Sequence, residues 1–220
     1  KGMEISALGS SPHNRIHPSY GVFSPVRGEY IQLVADAPLP STDLAFDIGV
    51  GTGVLSAVLA KRGVKRVIGT DLDDRALSCA KENIKRLGLQ GKVELSKANL
   101  FPEGTASLIV CNPPWLPARA SAPIERAIYD ENSAMLKGFL AGLAAHLVPQ
   151  GEGWLILSDL AEHLGLRTRA ELQEWISAGG LKVIGKLDTK AEHKKVQDES
   201  DPLHAARAAE VTSLWRLGLA

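Results

Sequence analysis

Leu44-Ala45-Phe46-Asp47-Ile48-Gly49-Val50-Gly51-Thr52-Gly53-Val54 reads as a buried strand, then a glycine turn, then the start of a helix. Val54, Leu55, Val58 and Leu59 follow at helical spacing, so that helix is expected to lay an apolar face back on a sheet. Glycines at 49, 51 and 53 let the backbone turn tightly and approach a ligand with no Cβ in the way. The helix N-terminus then directs unpaired N–H groups into the same space, which makes this a nucleotide-type site. A dinucleotide fingerprint would have a third glycine where Val54 stands, and that disfavours a nicotinamide-dependent oxidoreductase. Asp47, just before the turn, would repel a pyrophosphate but suits a cation such as an amino-acid ammonium. Asp71 closes the next apolar strand, Lys65 to Thr70, about 20 residues past the loop, where an acid takes two ribose hydroxyls.

A second motif sets the class. Ser107-Leu108-Ile109-Val110-Cys111 is another short apolar run, and it leads directly into Asn112-Pro113-Pro114-Trp115. With Asp-x-Gly-x-Gly-x-Gly upstream, the chain from Tyr20 to Leu217 resembles the class I S-adenosylmethionine-dependent methyltransferases that carry an Asn-Pro-Pro-aromatic motif. The resemblance implies an α/β, Rossmann-like fold: a mostly parallel seven-stranded sheet, helices on both faces and an antiparallel last strand. It implies S-adenosyl-L-methionine as cofactor, held by Asp47, Gly49, Gly51, Thr52, Gly53, Asp71, Leu72, Leu100 and Asn112. Asn99 stands where the resembling families commonly place an acid against the adenine amino group, and its amide oxygen can accept there too.

The motif has a chemical rationale. The nitrogen of an amide or an exocyclic amino group is a poor nucleophile, because its lone pair is delocalised. Two acceptors holding its two hydrogens fix the nitrogen and favour a pyramidal form. The Asn112 side-chain oxygen and the Pro113 carbonyl are the expected pair, Pro113 and Pro114 stiffen the backbone, and Trp115 offers a flat face for stacking. The expected reaction is N-methylation of a planar NH2 group on a macromolecule, either a protein glutamine or a purine amino group of RNA or DNA. A catalytically silent, cofactor- or partner-binding module is the competing reading.

Upstream, Lys1 to Ser19 is broken by Gly-Ser-Ser-Pro and His-Pro and reads as a loop or hairpin. Tyr20 to Glu29 (Tyr-Gly-Val-Phe-Ser-Pro-Val-Arg-Gly-Glu) leads into a helix through Tyr30, Leu33 and Val34. This segment resembles the one preceding the core of release-factor glutamine methyltransferases, with ribosomal-RNA guanine methyltransferases having a similar piece. The release-factor enzymes have Pro-Arg-Pro-x-Thr-Glu where this chain has Ser-Pro-Val-Arg-Gly-Glu. In those families the segment covers the cofactor pocket, which adds Phe23 to the expected cofactor set. Residues 1–36 are thus a lead-in and 37–220 the methyltransferase domain. The chain opens on Lys1, so an upstream substrate domain is to be expected beyond it.

The remaining chain alternates strands and helices. Asp73-Asp74 caps a helix with a stripe of Ala76, Leu77, Ala80, Ile84 and Leu87, ended by Gly88. Val93 and Leu95 mark a third strand. Met135, Leu136, Phe139, Leu140, Leu143 and Leu147 form a helical stripe, and Trp154 to Leu157 a fifth strand. A helix through Leu172, Trp175 and Ile176 stops at Gly179-Gly180. Leu181, Val183 and Ile184 begin a sixth strand; Val211 to Leu217 is the last, with Trp215 in the core. Leu116 to Ile124 and Lys186 to Ala206 are read as loops, the second as substrate-facing or mobile.

Composition bounds the partners. With 25 basic and 25 acidic residues, no net field marks a nucleic-acid or membrane partner. Lys182, Lys186, Lys190, Lys194 and Lys195 are diluted by Asp188, Glu192, Asp198 and Glu199 and read as solvated surface. His193 and His204 lack metal-ligand spacing, and no metal is expected. Two scattered cysteines, Cys79 and Cys111, and the lack of any membrane-length apolar run suit a cytoplasmic setting.

Overall fold

The structure is a computed structural model that describes residues 2–117, 128–190, 200 and 202–220. A short hairpin, β1 (Met3–Glu4) with β2 (Arg15–Ile16), precedes α1 (Glu29–Asp36). The core then runs β3 (Leu44–Ile48), α2 (Val54–Lys61), β4 (Arg66–Asp71), α3 (Asp74–Arg86), β5 (Val93–Lys97), β6 (Ala106–Cys111) and α4 (Ala134–His146). It continues through β7 (Leu147–Ser158), α5 (Leu160–His163), α6 (Arg169–Ala178), β8 (Leu181–Lys190), α7 (His204–Ala209) and β9 (Val211–Leu219).

Seven strands form one sheet in the order β5-β4-β3-β6-β7-β9-β8. β3 pairs parallel with both β4 and β6, β6 parallel with β7, and β9 runs antiparallel to β7 and β8. The expected mostly parallel sheet with an antiparallel last strand is what forms. The central strands read as continuous apolar runs because helices cover both faces. Alternate residues divide between two cores: Ala45, Leu108, Val110, Trp154 and Ile156 lie with α1 and α2 on one face. Phe46, Ile48, Ile109, Cys111, Leu155 and Leu157 lie with α4 and α6 on the other. Chain order leaves β3 toward β4 and β5, then returns to β6 on the opposite side. The switch point, where open α/β sheets bind ligands, therefore falls between the carboxyl ends of β3 and β6.

Several boundaries differ from the sequence reading. Leu147 opens β7 instead of closing the α4 stripe, and β9 extends to Leu219. In α3 the buried face is Ala76, Cys79, Ala80, Asn83 and Ile84, with Leu77 and Leu87 half-buried. The segment read as a loop from Lys186 to Ala206 is regular at both ends: Lys186–Lys190 continue β8, and α7 begins at His204. Leu116 pairs with Tyr129 through an isolated bridge. The rest of the expected 116–124 loop after Pro117, and the stretch at 191–199 with His193, Lys194 and Lys195, lie outside the described residues.

Candidate active site

The glycine loop rises from the carboxyl end of β3. Gly49, Gly51 and Gly53 all have positive φ (73°, 52° and 84°), which L side chains rarely adopt. Their roles differ. A Cβ on Gly53 would lie 3.2 Å from Ala80 Cβ, so this glycine seats α2 on α3. A Cβ on Gly51 would meet nothing within 4 Å, which leaves the backbone open to a ligand there. A Cβ on Gly49 would lie 2.8 Å from Met135 Cε, because α4 leans a methionine over the loop. Three bonds brace the turn: Val50 N–H to the Thr70 carbonyl (2.8 Å), Gly53 N–H to the Val50 carbonyl (2.8 Å), and Gly51 N–H to Asp71 Oδ2 (3.1 Å).

Asp47 sits beneath this loop, 1% exposed. Its Oδ2 accepts a 2.7 Å hydrogen bond from the Ser56 hydroxyl on α2. Burial pushes its carboxyl up to about 7, opposed by the hydrogen bonds from Ser56 and reinforced by the charge of Asp71. Asp47 presents no open face; what reaches the loop is the field of its carboxylate. Asp71 closes β4, half-exposed, and its Oδ1 accepts from the Asp73 N–H at 3.0 Å. Thr52 is buried in the loop, Leu72 is 59% exposed beside Asp71, and Asn99 is exposed beyond β5. Leu100 takes a left-handed φ of 70°, and its carbonyl accepts the Thr70 hydroxyl at 2.5 Å. The expected cofactor residues of the loop, of β4 and of the turn beyond β5 thus collect along one edge of the sheet.

Asn112 to Trp115 leave the carboxyl end of β6, the neighbour of β3. Ile48 and Cys111 are register partners, so Gly49 and Asn112 are the next residues on adjacent strands. Pro113 is buried and Pro114 half-buried. The Trp115 indole N–H donates to Asn112 Oδ1 at 2.9 Å, so the tryptophan holds the amide. An amide oxygen has a second lone pair, which leaves Asn112 able to accept once more. The Arg27 guanidinium lies 5.3 Å from the Trp115 ring centroid, and Tyr30 meets the ring edge-on at 6.3 Å. The phenol of Tyr30 is pushed well above its usual range by burial, and further by the charge of Asp47. Phe23 is 38% exposed in the segment leading to Arg27.

Several contributors to this edge were not found from the sequence. Asn83 on α3 donates from Nδ2 to the Thr52 carbonyl (3.0 Å) and the His17 carbonyl (3.0 Å), bracing the glycine loop and the N-terminal hairpin together. Asp130 accepts the N–H groups of Met135 (2.9 Å) and Leu136 (3.1 Å), and so caps α4. Its own N–H donates to the Leu116 carbonyl at 2.8 Å, which ties the Asn-Pro-Pro-Trp segment to the start of α4. Asp130 stands before Glu131-Asn132-Ser133, where a capping side chain is a legible signal, although its reach over five residues is not. Ser56 and Asn83 carry no such signal, since both lie within helices and their partners are set by tertiary contacts.

The fold sets a glycine loop and a half-exposed acid on adjacent strand ends at the switch point of an α/β sheet, with Asn112-Pro113-Pro114-Trp115 on the next strand. Residues 15–168 match the family model described as the methyltransferase small domain. The chain belongs to that family of S-adenosylmethionine-dependent methyltransferases. It is 32% identical over 149 residues to a ribosomal protein L11 methyltransferase of Vibrio parahaemolyticus, covering 66% of this chain and 48% of that protein. It is 31% identical over 113 residues to a provisionally named protein N5-glutamine methyltransferase of Methanocaldococcus jannaschii, covering 50% and 55%. The chain therefore spans about half the length of the curated relatives it matches. The crystal structure of an S-adenosylmethionine-dependent methyltransferase from Thiobacillus denitrificans, in complex with S-adenosyl-L-homocysteine, has the same fold (TM-score 0.59, 15% identity, 92% of this chain and 95% of that one).

The residues present suit the cofactor. A buried carboxylate lies under the loop, the backbone is open at Gly51, and a half-exposed acid ends the adjacent strand.

Proposed function

We propose that this chain is an S-adenosylmethionine-dependent N-methyltransferase acting on a planar NH2 group of a macromolecule. The observation that carries the reading is the register of β3 and β6, which sets the glycine loop and Asn112 side by side at strand ends about 4.8 Å apart. Gly49, Gly51, Thr52 and Gly53 would take the amino-acid portion of the cofactor, aided by the field of Asp47. Asp71 and Leu72 would take the ribose, Asn99 and Leu100 the adenine, and Phe23 would cover the pocket.

Bound there, the cofactor supplies an electrophilic methyl group. The second lone pair of Asn112 Oδ1 and the Pro113 carbonyl would accept the two hydrogens of the acceptor nitrogen and hold it in line. Pro113 and Pro114 limit the motion of both acceptors, and Trp115 fixes the bearing of the Asn112 oxygen. The family resemblance supports a protein glutamine or a purine amino group. Both relatives bear the names of protein methyltransferases, and the balanced charge offers no attraction for a polyanion, so a protein NH2 is the better supported acceptor. A base in nucleic acid would have to be displayed single-stranded or flipped. A cytoplasmic setting belongs to this reading.

The test is transfer of label from radiolabelled S-adenosylmethionine into lysate of a strain lacking the protein, fractionated into protein and RNA. Label in a protein band is expected. Asn112→Ala should lower it by about two to three orders of magnitude, with a far smaller change in cofactor Kd. Label in RNA alone would move the acceptor to a purine. Tight cofactor binding without transfer to either would favour the non-catalytic module.

A further inference from the structure

An ion pair ties the two ends of the described chain together at the back of the Asn-Pro-Pro-Trp motif. Glu210 immediately precedes β9, on the same sheet edge as Asn112, and its side chain is 0% exposed. Its Oε1 accepts from Arg27 Nη1 at 2.5 Å and from the Ser158 hydroxyl at 2.6 Å, while Ser158 Oγ accepts the Leu160 N–H at 3.0 Å. Oε2 of Glu210 is buried with no hydrogen-bond partner among the described residues. Arg27 is 17% exposed at its side chain and lies against the Trp115 ring, and Trp115 donates to Asn112.

A buried ion pair is poor evidence of stabilisation, because desolvation offsets the attraction. This one also leaves a buried carboxylate oxygen unsatisfied, so stability does not account for it. What the pair does is place a guanidinium. An arginine fixed at one oxygen cannot wander, and a cation within about 6 Å of an indole centroid is attracted to the ring face. With Tyr30 at its edge, Trp115 is held from two directions, and its N–H keeps a single bearing on the Asn112 amide.

We propose that Glu210 and Arg27 are positioning residues for methyl transfer, acting through Trp115 to orient the Asn112 oxygen. Neither touches the acceptor nitrogen. The role rests on the proposed N-methyltransferase reading, and its structural half can be measured without turnover.

The test uses the paired variant Arg27→Met/Glu210→Leu, which removes both charges together and leaves no uncompensated buried carboxylate. The first readout is solvent exchange of the Trp115 indole N–H by NMR, its resonance assigned by its loss in Trp115→Leu. The second is the split between kcat and KM for cofactor and acceptor. The paired variant should exchange the indole proton about tenfold faster and lose about 10- to 100-fold in kcat, with the KM for S-adenosylmethionine within about twofold. In the Trp115→Leu background the same pair should change kcat by no more than about twofold. Unchanged indole exchange, unchanged kcat, or an undiminished loss of kcat in the Trp115→Leu background would each overturn the proposal. A wild-type chain that methylates no NH2 acceptor overturns the proposed function alone, because the indole exchange still decides whether Arg27 holds Trp115.

Discussion

Ser56 Oγ donates to Asp47 Oδ2 at 2.7 Å, joining the end of β3 to the first turn of α2 beneath the glycine loop. The hydrogen bonds to the Asp47 carboxyl come from Ser56, and burial outweighs them. The neutral carboxyl is therefore the easier form to bury, and the ionised form is costly until a cation comes near.

Asp47→Asn should stabilise the cofactor-free protein above neutral pH. The folded carboxyl titrates near 7, above its ordinary value of 3.8. Its favourable contribution is complete below the unfolded value and is lost as pH rises through the folded one. Asparagine keeps an oxygen for Ser56 and has no charge to bury. At pH 8 the variant should be more stable by about 2–4 kcal/mol and melt several degrees higher, with the gain vanishing toward pH 4. Thermal melts at the two pH values check this; equal Tm differences at both would contradict it.

Cofactor affinity should rise with pH across the same range. A ligand ammonium near the loop favours ionised Asp47, so binding below pH 7 must first remove a proton. Calorimetric titration of S-adenosylmethionine should show Kd rising up to about tenfold per unit as pH falls from 7 to 6, and no such slope in Asp47→Asn. A flat profile in the wild type would detach Asp47 from cofactor binding.

Gly51 and Gly53 should separate binding from folding. Gly53→Ala forces a Cβ against Ala80 at a left-handed φ and should cost about 1–3 kcal/mol in urea unfolding. At Gly51 the new Cβ meets no protein atom, so Gly51→Ala should cost no more than about 1–2 kcal/mol, all of it from the backbone. Its cofactor Kd should nevertheless rise by about tenfold or more, because the methyl group occupies the open approach.

Asp130→Ala should loosen the helix that closes the site. It frees the Met135 and Leu136 N–H groups at the start of α4, at a cost of about 1–2 kcal/mol. Hydrogen exchange should accelerate first over residues 134–138, where Met135 overhangs Gly49. Uniform acceleration across the whole sheet would mean that Asp130 supports the core instead of the cap.

How much of this was legible in the chain follows from the range of each interaction. Runs such as Leu44–Ile48 and Ser107–Cys111, the positive-φ glycines and the Asn-Pro-Pro-Trp turn are encoded by neighbours within a few residues. Strand and helix periods announce them, and chain order then dictates the switch point between β3 and β6. The extension of β8 was missed although Gly185 to Lys190 alternates half-buried and exposed positions, because its charges look like those of a loop. Cysteine and asparagine replaced leucines on the buried face of α3 because Asn83 has carbonyls of Thr52 and His17 to satisfy, which no helical period reveals.

The sequence by itself determined the fold class, the glycine loop and the strand end that carries Asn112. Only the tertiary structure decided what stands behind them. Arg27 and Glu210 are 183 residues apart, and they meet because β9 inserts antiparallel between β7 and β8 with its first residue on the ligand edge. Local propensity and periodicity specify elements. Which charges those elements bring together depends on sheet order and on the desolvation that makes a buried carboxylate need its partner.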